Sequence, residues 1–96
     1  MREIFIHKKT GSFAGNKDIA KEIRIKEILP GIDKEDKVII NFKDVDEATQ
    51  SFIHALISDV IRQEGVTVLD KIYFKDCNAN IKKIVNIVIE YMQEPN

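Results

Sequence analysis

Apolar and polar positions change period several times along this chain. Residues 3–8, "EIFIHK", alternate large apolar with polar side chains, the two-residue period of a strand. Residues 9–15, "KTGSFAG", hold two glycines among small polar residues and predict a loop. Asn16 then reads as an N-cap, with Asp18 in the first turn where the helix dipole favours an anion. Ile19, Ile23 and Leu29 recur at helical spacing with Ala20 and Ile28 beside them, and Pro30-Gly31 predicts the stop. Residues 37–42, "KVIINF", form a nearly continuous apolar run, which predicts a strand covered on both faces.

The segment 44–61, "DVDEATQSFIHALISDVI", predicts a second helix that stops at Gly65. Residues 71–75, "KIYFK", predict a third strand, and "VTVLDKIYF" allows a short extra strand before it. From Asn80 onward Ile81, Ile84, Val85, Val88, Tyr91 and Met92 make a one-sided stripe, the mark of a last helix. Strand followed by helix three times over predicts an α/β fold: β-α-β-α-β-α, a mainly parallel sheet of three to four strands, and three helices packed on its faces. No linker or repeat interrupts it, so residues 1–96 read as one domain. Strand-to-helix loops of such a sheet gather at its carboxyl edge, where ligands and partners bind. Here those loops are residues 9–16, 43–50 and 75–80.

Projected at helical steps, Phe52, Ile53, Leu56, Ile57, Val60 and Ile61 fill one half of the second helix. Ser51, His54, Ser58 and Arg62 stack on the other half, with small Ala55 beside them. Two readings follow. The stripe is a solvated face started by a Thr49 or Ser51 cap. Alternatively a partner reads Thr49, Gln50, Ser51, His54, Ser58 and Arg62, with Ser51 as a site of phosphorylation.

Charge narrows the field. Fifteen basic residues face sixteen acidic ones, so whole-chain charge makes no case for direct nucleic-acid binding. No apolar run approaches the ~20 residues that span a bilayer. The start, "MREIFIHKK", alternates too much for a signal peptide. Cys77 is the only cysteine, which fits a reducing compartment such as the cytoplasm. His7, His54 and Cys77 lack metal-ligand spacing, and no cofactor motif is present.

Three motifs fall short of chemistry. "GSFAGNK" follows a strand and opens a helix, yet has three residues between its glycines where a P-loop has four, and Asn16-Lys17-Asp18 where Lys-Ser/Thr belongs. Gly11, Ser12, Gly15, Asn16 and Lys17 therefore remain only a candidate loop for a small ligand or nucleotide. Ser51 and His54 lack an orienting acid and an oxyanion hole. Cys77 lies near a helix start, where a thiol can be activated, but a lone cysteine is expected to be packed.

The stretches "GSFAGNKDIAKEIRIKEILPGI", "VIINFKDVDEATQSFIHALISDVIRQ" and "IYFKDCNANIKKIV" resemble the bacterial STAS-like family of unknown function, over nearly the whole chain. Asn16-Lys17-Asp18 and Thr49-Gln50-Ser51-Phe52 are the most specific parts. The family is named after the sulfate-transporter and anti-sigma-factor-antagonist domain, a small α/β fold. In the antagonists, a serine opening the helix after a central strand is phosphorylated by a kinase of the histidine-kinase-type ATPase fold, which also serves as the anti-sigma factor. The resemblance implies that role for Ser51. The antagonists' Asp-Ser-Ser-Gly reads Thr49-Gln50-Ser51-Phe52 here. The leading expectation is a non-catalytic regulatory module with a protein partner, either such an ATPase or an anti-sigma-like regulator. A ligand-binding domain, an enzyme and a subunit that only homodimerises are the other classes.

Overall fold

The computed structural model describes residues 1–35 and 37–93; residue 36 and residues 94–96 of the expected 1–96 domain lie outside the described residues. Strands β1 (Arg2–Phe5), β3 (Val38–Asn41) and β5 (Ile72–Lys75) form a parallel sheet in the order β1-β3-β5. Ile4 lies opposite Ile40, and Ile40 opposite Phe74. A second, two-residue parallel pairing joins β2 (Phe13–Ala14) to β4 (Glu47–Ala48). The α-helices are α1 (His7–Thr10), α2 (Lys17–Ile23), α3 (Leu29–Lys34), α4 (Gln50–Glu64) and α5 (Ala79–Gln93).

The expected strand-helix alternation holds, with five α-helices among the described residues where three were expected. The predicted strand 3–8 ends at Phe5, because His7–Thr10 turn into α1 and Gly11 closes that turn at φ 72°. The predicted loop 9–15 contains β2. Asn16 caps α2 as expected, its Oδ1 accepting from the backbone N–H groups of Asp18 and Ile19.

Pro30-Gly31 does not end the first long helix. Helical backbone runs on to Lys34 through a π segment, Arg24–Ile28. An α-helical turn would drive the Pro30 ring into the carbonyl four residues back. The wider turn, with Leu29 N–H bonded to Arg24 O, carries the chain past that clash.

The acidic run that was expected to open the second helix lies outside it. Asp44 adopts φ 66° in a turn closed by Val45 N–H to Phe42 O, and Glu47 belongs to β4. The extra strand expected before β5 is a 3-10 helix, Val66–Lys71. Val68 alone in that segment is buried, too little apolar surface to seat a strand.

The core lies on one face of the sheet, not two. Ile4, Val38, Ile40, Phe42 and Ile72 point into it, and Phe52, Leu56, Ile81 and Val85 meet them from the helices. Topology explains this. Strands that keep their sequence order, joined by connections of the usual right hand, put every crossover helix on the same side. Coverage of the second face needs the strand order to reverse, and here it does not.

Candidate functional site

The carboxyl edge is built as one piece. Ser12 O accepts the N–H groups of Asp46 and Glu47, and Ala14 O accepts that of Thr49, so the loop after β1 is stitched to the loop after β3. The Asn78 amide donates to Asp46 O at 2.8 Å, while its Oδ1 accepts from Ile81 N–H at the start of α5. All three predicted edge loops are thus joined.

Thr49 is the N-cap of α4, its Oγ1 accepting from Phe52 N–H at 3.1 Å. Ser51 Oγ lies 3.2 Å from that Thr49 oxygen, and Ser51 and Gln50 are exposed. The rest of the predicted polar stripe is not a uniform solvated face. Ser58 is only 2% exposed, its hydroxyl donating to the carbonyl of His54, one turn back. The wheel misplaces it because α4 is packed on both flanks, by the first long helix and by α5. His54 is half-buried, 6.2 Å from the Tyr91 ring of α5, with Nδ1 3.1 Å from Ser58 Oγ. Arg62 is exposed and paired with Asp59 at 2.7 Å. Asp59 also pairs with Arg24 at 3.1 Å, and Arg24 donates to Ala55 O at 2.7 Å. Of the stripe, Ser51 and Arg62 are exposed, and Arg62 is held by Asp59 of its own helix.

Beside the capped end of α4 lies a groove of about 430 Å³, lined by Phe13, Ala48, Thr49, Lys83, Ile84 and Ile87 among others. Phe13 is 55% and Ile87 42% exposed, so the groove carries exposed apolar surface, with Glu47, Asn80 and Lys83 among its polar lining. Tyr91, read from the sequence as part of the inner stripe of the last helix, is 65% exposed and extends this surface toward His54. Sequence reasoning missed Phe13 and Ile87. The signal was there: Ile84, Ile87 and Tyr91 form a second helical row beside Ile81, Val85 and Val88, a wider apolar arc than one packed face requires.

The candidate ligand loop has less to offer than its composition implied. The backbone around Ser12, Phe13 and Ala14 is paired with β4, and the Asn16 side chain caps α2. A Cβ added at Gly15 would come within 2.4 Å of the Phe13 ring, so that ring occupies the space a ligand would need there. Gly11 is half-buried, and Ser12 and Lys17 are exposed. Among the described residues, no group of three His, Cys, Asp or Glu side chains gathers to hold a metal. Cys77 is half-buried, and burial, helped by the Asp76 carboxylate, pushes its thiol pKa up. The pKa of Glu35 is lowered, chiefly by its hydrogen bond with the N-terminal ammonium, and Arg2 Nε adds a contact at 3.0 Å.

No described helix is long and apolar enough to cross a membrane. Residues 20–82 match the family model of the STAS-like domain of unknown function, and the chain belongs to that family. No curated protein and no solved structure matches the chain.

Proposed function

We propose that the chain is a regulatory protein–protein interaction module, non-catalytic, that docks a protein partner at the start of α4. The observation that carries this reading is the exposed Ser51 hydroxyl, just inside a capped helix end and beside a groove that carries exposed apolar surface. Apolar surface of this kind, rimmed by polar groups, is what docking sites use.

Family membership supports a switch at Ser51 of the anti-sigma-antagonist type, written by a histidine-kinase-type ATPase partner. A phosphate there would add ~1.5 to 2 negative charges at the groove's rim. The helix dipole would favour it by roughly 0.3–1 kcal/mol, so the modification alters what the partner meets without unfolding the helix. Phe52 stands where the antagonists have glycine, and its ring is fully buried in the core. The docking surface therefore carries the Phe52 backbone and not its bulk.

The test is a pull-down with wild type, Ser51→Ala, Ser51→Glu and Ile87→Glu as baits. An ATPase held by wild type and Ser51→Ala but lost with both glutamate variants is the expected result. The same partners on Ser51→Ala and Ser51→Glu would sink the switch, and retention by Ile87→Glu would sink the groove as the docking surface.

A further inference from the structure

The sheet has a second face that no helix covers among the described residues. Its residues alternate with the core-facing ones: Glu3 and Phe5 on β1, Ile39 and Asn41 on β3, Tyr73 and Lys75 on β5. Phe5 is 38% and Tyr73 46% exposed, Ile39 between their strands is half-buried, and Asn41 is buried. Sheets made only of parallel strands almost always have both faces covered. An aromatic pair on the open face of such a sheet is a surface awaiting an occupant.

The charges say which kind. Lys8 places its ammonium 5.3 Å from the centre of the Phe5 ring, and Lys37 stands 5.5 Å from that of Tyr73. Lys75 is the third cation, 3.9 Å from Glu3. Among the described side chains of this face Glu3 is the single carboxylate, and it already accepts from Asn41 Nδ2 at 2.9 Å. The face is thus cationic on a chain whose net charge is −1. A second copy laid face to face would set lysines against lysines. The occupant must be anionic and must also offer something flat to the rings.

We propose that this face binds single-stranded nucleic acid: Lys8 and Lys37 swing off the Phe5 and Tyr73 rings to join Lys75 on the phosphates, and bases stack on the rings they leave. The two rings lie two strands and two residues apart in register, roughly 12 Å, so each takes a separate base. Aromatic rings on an open sheet, flanked by cations, bind single strands with little sequence preference, because every base has a flat face. The surface is separate from Ser51 and does not depend on the partner-docking reading.

Fluorescence anisotropy with labelled oligodeoxythymidylate and oligouridylate tests this and tells DNA from RNA. Three phosphate contacts predict an affinity loss of roughly 20-fold between about 50 and 200 mM salt. Tyr73→Leu keeps an apolar strand residue but no ring, and should weaken binding roughly 5- to 100-fold. Lys37→Glu should weaken it as well, and Ser51→Glu should leave it unchanged. No anisotropy change with either oligonucleotide overturns the proposal. So does equal binding by Tyr73→Leu, or polyglutamate that competes as well as the oligonucleotide, which would make the face a dock for acidic protein.

Discussion

The side-chain amide of Asn78 donates to the backbone carbonyl of Asp46 at 2.8 Å, which ties the start of α5 to the loop that leads into α4. The same residue caps α5 through Ile81 N–H at 2.9 Å. One asparagine therefore both caps α5 and ties its start to the loop ahead of α4.

Asn78→Ala removes both contacts. It should cost about 2 kcal/mol, from ~1 for the cap and ~1 for the second hydrogen bond. Asn78→Asp keeps an acceptor for the cap but turns a carboxylate oxygen on the Asp46 carbonyl, so it should cost about 1 kcal/mol or more from that contact alone. Urea unfolding of the three proteins would decide. An aspartate variant as stable as wild type would mean that the tie to Asp46 contributes nothing.

Cys77 lines a second groove along the outer edge of β5 with Phe74, Val85 and Ile89. Burial is the main cause of its raised pKa, with repulsion from Asp76 second. Less thiolate is present at a given pH, so iodoacetamide should react more slowly with the native protein at about pH 8 than with the urea-unfolded chain. The linkage has a definite sign. The folded state holds the thiol proton more tightly, so this contribution to stability is complete below the unfolded thiol's pKa and fades as pH rises through the folded value. Equal alkylation of native and unfolded protein would contradict the shift.

Much of this architecture is legible in the sequence wherever one local signal decides. The Asn16 cap, the strand at 37–42 and the stripe of the last helix follow directly from residue type and period. The failures are non-local. Glu47 and Ala48 look like the start of a helix, but pairing with Phe13 and Ala14 makes them a strand. Pro30 looks like a stop, yet the π turn ahead of it lets the helix continue. Ser58 looks solvated on a helical wheel, because a wheel does not say that α4 has helices on both flanks. The candidate site divides in the same way. Thr49 and Ser51 were legible from the cap pattern, whereas the groove depends on Phe13 meeting α5 across the chain. Whole-chain charge likewise hid the lysines of the open sheet face, because strand register and not composition brings them together.

Gly31 sits inside α3 against Val38. A Cβ built there would lie 2.8 Å from Val38 Cγ2 and 3.3 Å from Arg2 Cδ. Alanine for glycine within a helix ordinarily stabilises by roughly 0.5–1 kcal/mol. Val38 is fully buried and has no room to swing away. Overpacking of about 1–3 kcal/mol should therefore outweigh the helical gain. Gly31→Ala should lower the urea midpoint, and a midpoint that rises would show that helix and sheet separate easily at this contact.

Ser51 and Ser58 lie two turns apart on α4 and should answer a negative charge in opposite ways. Ser51 is exposed beside the helix N-terminus, where a carboxylate is favoured by roughly 0.3–1 kcal/mol. Ser58 is buried, and its hydroxyl is hydrogen-bonded to His54. Arg24 and Arg62 on that side both pair with Asp59 already, so a new carboxylate at position 58 would be buried with only the His54 imidazole to meet it. Ser51→Glu should leave the melting temperature unchanged or slightly raised. Ser58→Glu should unfold the protein or cost several kcal/mol. Ser58→Ala should cost less than about 1 kcal/mol, because the hydroxyl only makes a bond back to its own helix. Thermal melts of the three variants check this in one experiment. A folded, stable Ser58→Glu would mean that α5 lifts away from α4, which would expose the whole stripe from Ser51 to Arg62 after all.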